Sequence, residues 1–347
     1  MSRCGHGAFA LMAAGRVSAI RPTGAVRLAP PSLLLCALSL ASPIQAAPEP
    51  DTPPKFEVPA PPAGTPLRFV AYGDTRFTDR PDVVNTPARR ALVHQISLEN
   101  PALILIGGDL VYEGSNPQDY AVYRNDTRDW SEGGLRVFPV LGNHEFKGCE
   151  GEDKTACLDN WWQNFSSLSL KPYRWYSVDI GPSLVALILD SDSPLKPGST
   201  QRAWFERQIG EADARAKFIL VVMHYPPVRD PFYPAGRDEK EIARYFARKS
   251  KSMHAQVVVI GSHVHNYERY RRNGITYLVT GGGGAKPVPA LRMFGELSQL
   301  KTAVNFHYIR FELQNDRLLG TMVRFDENDQ SGNPWTEPDR FTVNARR

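Results

Sequence analysis

Short apolar runs alternate with longer mixed stretches from Leu67 onward. Leu67-Arg-Phe-Val-Ala-Tyr72, Ala102-Leu-Ile-Leu-Ile106, Leu135-Arg-Val-Phe-Pro-Val-Leu141, Phe218-Ile-Leu-Val-Val-Met223 and Gln256-Val-Val-Val-Ile260 are runs of this kind. Their length and β-branched content predict strands buried on both faces. Between them, residues 87–100, 116–130, 200–214 and 237–249 mix apolar and polar positions in a manner suited to helices. Pro101 closes the first, and Thr200 is the expected N-cap of the third. Residues 173–180 and 183–189 predict a hairpin turned at Gly181-Pro182, residues 275–280 a further strand, and 306–313 with 318–325 a second hairpin. Strands interleaved with helices predict a layered α/β fold with the helices outside. No repeat or change of character divides residues 65–330, so one domain is expected over 66–330, followed by a C-terminal tail at 331–347.

The chain has 347 residues, with 42% hydrophobic and 22% charged content, which is ordinary for a globular protein. Many of its 29 prolines fall before Leu67. Pro48-Glu-Pro-Asp-Thr-Pro-Pro54 and Val58-Pro-Ala-Pro-Pro62 predict an extended linker at 47–65. Upstream, arginines precede Leu33-Leu-Leu-Cys-Ala-Leu-Ser-Leu-Ala41, and Ile44-Gln-Ala46 is a plausible cleavage site, so residues 1–46 are expected to be a secretory signal. The formal charge of +4 equals the contribution of Arg3, Arg16, Arg21 and Arg27, leaving the remainder neutral. A neutral mature chain gives no support to nucleic-acid or membrane-surface binding. With no later apolar run long enough to span a bilayer, a periplasmic or secreted product is expected. Cys149 and Cys157 would remain, and an even pair in an oxidising compartment predicts a disulfide.

Chemistry is concentrated where the strands end. The first run leads into Gly73-Asp-Thr-Arg76, the second into Gly107-Gly-Asp-Leu-Val-Tyr112, and the third into Gly142-Asn-His-Glu145. Phe218–Met223 leads into His224-Tyr-Pro-Pro227, and Gln256–Ile260 into Gly261-Ser-His-Val-His265. Ligands of open α/β sheets bind outside the carboxyl ends of strands. These ends would gather Asp74, Asp109, Tyr112, Asn143, His144, His224, His263 and His265 at one rim, the inventory of a two-metal site.

In order and spacing these residues resemble the calcineurin-like metallophosphoesterases, most closely the purple acid phosphatase branch, over roughly residues 67–285. The resemblance implies a layered α/β/β/α sandwich with two central mixed sheets flanked by helices. It implies that Asp109 bridges two metal ions, iron with zinc, manganese or a second iron. Asp74, Tyr112 and His265 would complete the shell of the first, and Asn143, His224 and His263 would hold the second. His144 would contact phosphate or protonate the leaving group. The implied reaction is hydrolysis of a phosphate monoester on a small phosphorylated substrate by a metal-bound hydroxide. Diester or nucleotide hydrolysis on the same site, and a non-catalytic exported metal-binding protein, are the alternatives.

Two positions depart from the family pattern. Arg76 stands where the branch has glycine and the wider superfamily histidine, and it can either clamp a phosphate oxygen or pair with Asp79 or Asp82. Ser262 stands where glycine is usual. Tyr112 either ligates or packs at the rim. Glu145 and Glu268 are candidates to orient an imidazole, a surface ion pair being the other reading for Glu268. Asp190 and Asp192 read as loop caps, His94 and His254 as surface residues, His307 as structural, and Trp161, Trp162 and Phe165 as core.

Overall fold

The computed structural model describes residues 52–62, 64–149, 154–233, 235–236, 238–290 and 306–346, all within one compact unit. The expected signal at 1–46 lies outside the described residues. The strands are β1 (Lys55–Val58), β2 (Leu67–Tyr72), β3 (Leu103–Ile106), β4 (Arg136–Pro139), β5 (Tyr176–Ile180), β6 (Leu184–Ile188), β7 (Phe218–Val222), β8 (Gln256–Gly261), β9 (Tyr267–Arg272), β10 (Ile275–Thr280), β11 (Phe306–Gln314), β12 (Arg317–Phe325) and β13 (Trp335–Asn344). The helices are α1 (Thr86–Glu99), α2 (Pro117–Asp126), α3 (Arg128–Glu132), α4 (Thr155–Asn164), α5 (Thr200–Asp213) and α6 (Asp238–Lys249).

Two mixed sheets result, one in the order β1-β5-β6-β7-β8-β10-β9 and the other β13-β12-β11-β2-β3-β4. The side-chain period of two explains how the first sheet serves two cores. Ala186, Ile188, Leu220, Val222, Val258 and Ile260 join Phe69, Ile104, Phe138 and Phe311 of the second sheet in one buried cluster. Their neighbours Val185, Leu187, Ile219, Val221, Val257 and Val259 face Trp204, Phe205 and Ile209 of α5 and Ile242 and Phe246 of α6. On the second sheet, α1 buries Ala88, Leu92, Val93 and Ile96. The architecture is the α/β/β/α sandwich. The strands expected at 67–72, 256–260 and 275–280 and both hairpins are present.

Several elements differ from the sequence expectation. The helix expected over 116–130 is two, broken at Thr127, whose hydroxyl turns back to the Tyr123 carbonyl at 2.7 Å. Ser199, not Thr200, caps α5, its side chain accepting from the Arg202 N–H. Two segments expected outside the catalytic fold contribute strands. Within the Pro-rich stretch, β1 pairs parallel with β5, and within the expected tail, β13 pairs antiparallel with β12. Both are edge strands, where proline and alternate exposed positions are tolerated; Pro338 lies in β13. The charged run Tyr267-Glu-Arg-Tyr-Arg-Arg272 forms edge strand β9, whose Tyr267 and Tyr270 reach the two cores while Arg271 and Arg272 are exposed at its end. Among the described residues no helix is long and apolar enough to cross a membrane.

Candidate metal centre

Backbone pairing brings the first two strand ends together. The Asp74 N–H donates to the Gly108 carbonyl, Arg76 N–H to the Asp109 carbonyl and Phe77 N–H to the Leu110 carbonyl, at 3.0, 2.9 and 2.7 Å. Asp74, Arg76, Asp109 and His263 all adopt positive φ, between 45° and 66°. Left-handed backbone at four non-glycine residues costs energy and clusters where side chains must be aimed rather than packed. Gly142 makes room for this, since a Cβ there would stand 2.5 Å from Asp109 Oδ1.

Glu145 locks the arrangement. Its Oε2 accepts the N–H groups of Asp109 and Gly142 at 2.9 and 2.6 Å, and Oε1 that of Leu110 at 2.8 Å. Burial and the neighbouring Asp109 charge push this carboxyl up to about 8 against the pull of those donors. The carboxylate expected to orient an imidazole thus orients backbone instead. Glu268 is fully buried and accepts from the Asp230 N–H and the Tyr270 hydroxyl; Arg269 pairs with Asp339, so the surface ion-pair reading is overturned.

Asp74, Asp109 and His224 form a fully buried cluster whose ligand atoms all lie within 4.8 Å of one another. His224 Nδ1 lies 2.9 Å from the Gly107 carbonyl, His144 Nδ1 2.6 Å from the Tyr112 carbonyl, and His265 Nδ1 2.9 Å from the Lys286 carbonyl. A carbonyl can only accept, so each ring carries its proton on Nδ1 and presents Nε2 to the site. His224 Nε2 faces Asp109 Oδ1 and Asn143 Oδ1, each at 3.2 Å. His265 Nε2 faces Asp74 Oδ1 at 3.5 Å, and that buried oxygen has no hydrogen-bond partner. Two carboxylates, an amide oxygen and imidazole nitrogens converging in a buried site suit a cation. Asp74, Asp109 and His224 supply the donors of a candidate cation site, with Asn143 Oδ1 beside His224 and His265 Nε2 beside Asp74.

Charge follows the same logic. Burial and the Asp109 charge hold Asp74 well above the usual carboxylate range, while Arg76 opposes them. For Asp109, burial acts upward but the combined fields of His224, His144 and Arg76 win, and the group is lowered. Burial lowers His263 to about 3, with His224 adding to it, and His265 to about 4, with Arg76 adding to it. Both rings are therefore neutral at neutral pH, the form that binds a cation.

Arg76 Nη2 stands 3.4 Å from Asp109 Oδ2, so its partner is Asp109 and not Asp79 or Asp82; Asp82 pairs with Arg80. His144 Nε2 lies 3.8 Å from the same oxygen. The Tyr112 ring sits 5.3 Å from that of His144, with Lys147 Nζ 3.3 Å and Arg80 4.9 Å from its centroid. Among the described residues its hydroxyl makes no hydrogen bond to the cluster, and its ring lies between these two cations at the rim. Lys147 was not singled out in the sequence; one residue past Phe146, nothing but its rim position marks it.

The other sequence expectations fall into place. Cys149 and Cys157 form a disulfide, tying the loop after Glu145 to α4. Asp190 caps its loop through Asp192 N–H and Ser193 Oγ and also meets Arg174 at 2.6 Å. His307 is buried against Tyr267 and Thr280, while His94 and His254 are exposed. Trp161 and Phe165 belong to the core, with Trp162 packed against it. Ser262 Oγ donates to the Thr280 carbonyl at 3.2 Å.

Comparison with known proteins agrees with this geometry. The calcineurin-like phosphoesterase family model matches residues 67–282. Purple acid phosphatase 21 of Arabidopsis thaliana is 26% identical over 262 residues, 69% of this chain and 54% of that protein. Purple acid phosphatase 22 of the same plant is 25% identical over 63% of this chain and 49% of its own length. The chain therefore spans about half the length of these curated relatives. A purple acid phosphatase from yellow lupin (Lupinus luteus) seeds superposes with a TM-score of 0.60 at 17% identity, covering 83% of this chain and 55% of that one, a likeness of fold. Strand-end ligands, sandwich topology and the sequence match across all five motifs converge: the chain belongs to the calcineurin-like phosphoesterase family, with its resemblance lying toward the purple acid phosphatase branch.

Proposed function

We propose that this protein is an exported, metal-dependent phosphatase that hydrolyses phosphate monoesters without a phospho-enzyme. The observation that carries the reading is His224 Nε2, aimed at two acceptor oxygens 3.2 Å away with its other nitrogen tied to a carbonyl. Asn143, His224 and His263 would hold one cation, Asp74 and His265 the other, with Asp109 between them. Carboxylate, amide and imidazole donors suit zinc, manganese or ferrous iron; a ferric-phenolate centre would need the Tyr112 hydroxyl to turn inward. Bound cations at such a site neutralise phosphoryl oxygens and make water a nucleophile at neutral pH.

The side chains do the rest. His144, anchored through Nδ1, keeps Nε2 on the Asp109 side, and its doubly protonated form, which burial disfavours, would hand the Nε2 proton to the leaving oxygen. Arg76 supplies a fork of donors to a phosphoryl oxygen. A hollow of about 310 Å³ lined by Phe232, Tyr233, Val264 and Val288 beside His263 and His265 supports an organic leaving group of modest size. Metal analysis with a panel of mono- and diesters tests the proposal. Monoester turnover should dominate, Asp109→Asn should lose metal and activity together, and His144→Ala should lower turnover by about 10²-fold with metal retained. A diester preference would reject the monoester assignment, and full activity in His144→Ala its acid role.

A further inference from the structure

Arg76 is the departure from the family pattern that sits within the site itself. It occupies a left-handed position, φ 45°, and its side chain is 17% exposed. Asp109 divides its two oxygens between two sides. Oδ1 takes the His144 backbone N–H at 2.9 Å and faces His224 at 3.2 Å. Oδ2 faces Arg76 Nη2 at 3.4 Å and His144 Nε2 at 3.8 Å. Oδ2 of Asp109 therefore already has a cation beside it, and the same guanidinium acts on Asp74 and His265. The guanidinium field reaches all four surrounding groups, acting on Asp74, Asp109, His144 and His265. A guanidinium does not lose its proton in a protein, so its charge leaves only if the side chain moves. Its hold on Asp109 is a single long contact and its Nε is buried without a partner, a weak tether for a group suited to a bidentate fork.

We propose that Arg76 is a resident cation that competes with metal on the Asp74–His265 side of Asp109, so that this side fills tightly only when a phosphate-type anion draws the guanidinium away. The inference rests on the metal-site reading above and adds an order to it. The Asn143–His224–His263 side binds first, and the second side is coupled to substrate or product phosphate. Arg76 then has two positions, against Asp109 without phosphate and on a phosphoryl oxygen with it. Linkage requires the coupling to be reciprocal: phosphate tightens the second metal by the factor that the second metal tightens phosphate. The planar fork favours the phosphate position, because it can make two parallel bonds there and makes one long one to Asp109.

The test is equilibrium binding of Mn²⁺ to metal-stripped full-length protein, with and without inorganic phosphate, read by element analysis rather than by turnover. Wild type should bind one tight equivalent alone, with a second tightened about 10-fold or more by phosphate. Arg76→Gly relieves the left-handed backbone and is expected to stay folded. It should bind two equivalents without phosphate and show less than about a threefold phosphate effect. Arg76→Lys keeps a charge on a flexible stem and should retain the phosphate dependence. Two equally tight equivalents in wild type irrespective of phosphate, or identical behaviour of Arg76→Gly and wild type, would overturn the inference. No bound metal in either protein would overturn the metal-site reading itself, and this inference with it.

Discussion

Replacing Glu145 by alanine should be among the most damaging single changes outside the ligand set. The carboxylate is fully buried and takes the N–H groups of Asp109, Leu110 and Gly142 within 2.9 Å. Alanine would strand all three donors beneath the site, where water has no ready access. Each buried orphan costs about 1–3 kcal/mol, and relief of the repulsion from Asp109 returns part of that, so a net loss of about 3–6 kcal/mol is expected. For a domain of this size that corresponds to a fall in Tm of about 5–10 °C. Glutamine keeps one accepting oxygen but turns an NH₂ toward the other donors, so Glu145→Gln should lose roughly half as much. Thermal unfolding of metal-stripped protein measures the stability term, and metal retention on dialysis measures the positioning of Asp109. A Tm within about 2 °C of wild type in Glu145→Ala, with unchanged metal retention, would refute the idea that this side chain holds the two loops in register.

Acid should weaken the metal-free fold through two ligand histidines. His263 and His265 are lowered to about 3 and about 4, so below pH 6.5 the unfolded chain takes up protons that the folded chain refuses. Stability should drop as pH falls from 6.5 toward 4, and His265→Asn should flatten the slope of unfolding free energy against pH in that window. Gly107 and Ser262 should behave as a coupled pair, because a Cβ on Gly107 would stand 2.2 Å from Ser262 Oγ. Gly107→Ala should cost about 1–3 kcal/mol, much of it recovered in the double variant with Ser262→Gly, as a double-mutant cycle by denaturant unfolding would read. Additive losses would separate the two sites. Tyr112→Phe should keep its metal content and show turnover within about twofold of wild type, since the hydroxyl makes no hydrogen bond to the cluster; loss of a visible charge-transfer band on this substitution would instead make it a ligand.

The strand-end motifs were legible in the chain because their signal is local. Continuous apolar runs report strands buried on both faces, and the polar residues that follow each run are displaced together to the carboxyl edge of the sheets. Asp74, Asp109, Asn143, His224 and His265 therefore converge as their order implied. Edge strands β1, β9 and β13 carry no such pattern, since one side of each has no partner strand and half its positions need not be apolar. Which oxygen of Asp109 faces which neighbour depends on backbone turned to positive φ at Asp74, Arg76 and Asp109 and clamped by Glu145, 36 residues beyond Asp109. Long-range contacts of that kind also decide that Tyr112 packs between cations at the rim and that Arg76 lies against Asp109 instead of Asp79 or Asp82. Sequence alone determined the inventory of donors and the edge at which they meet, because hydrophobic period and chain order carry that information. Tertiary structure decided their aim, because aim is set by hydrogen bonds between segments far apart in the chain.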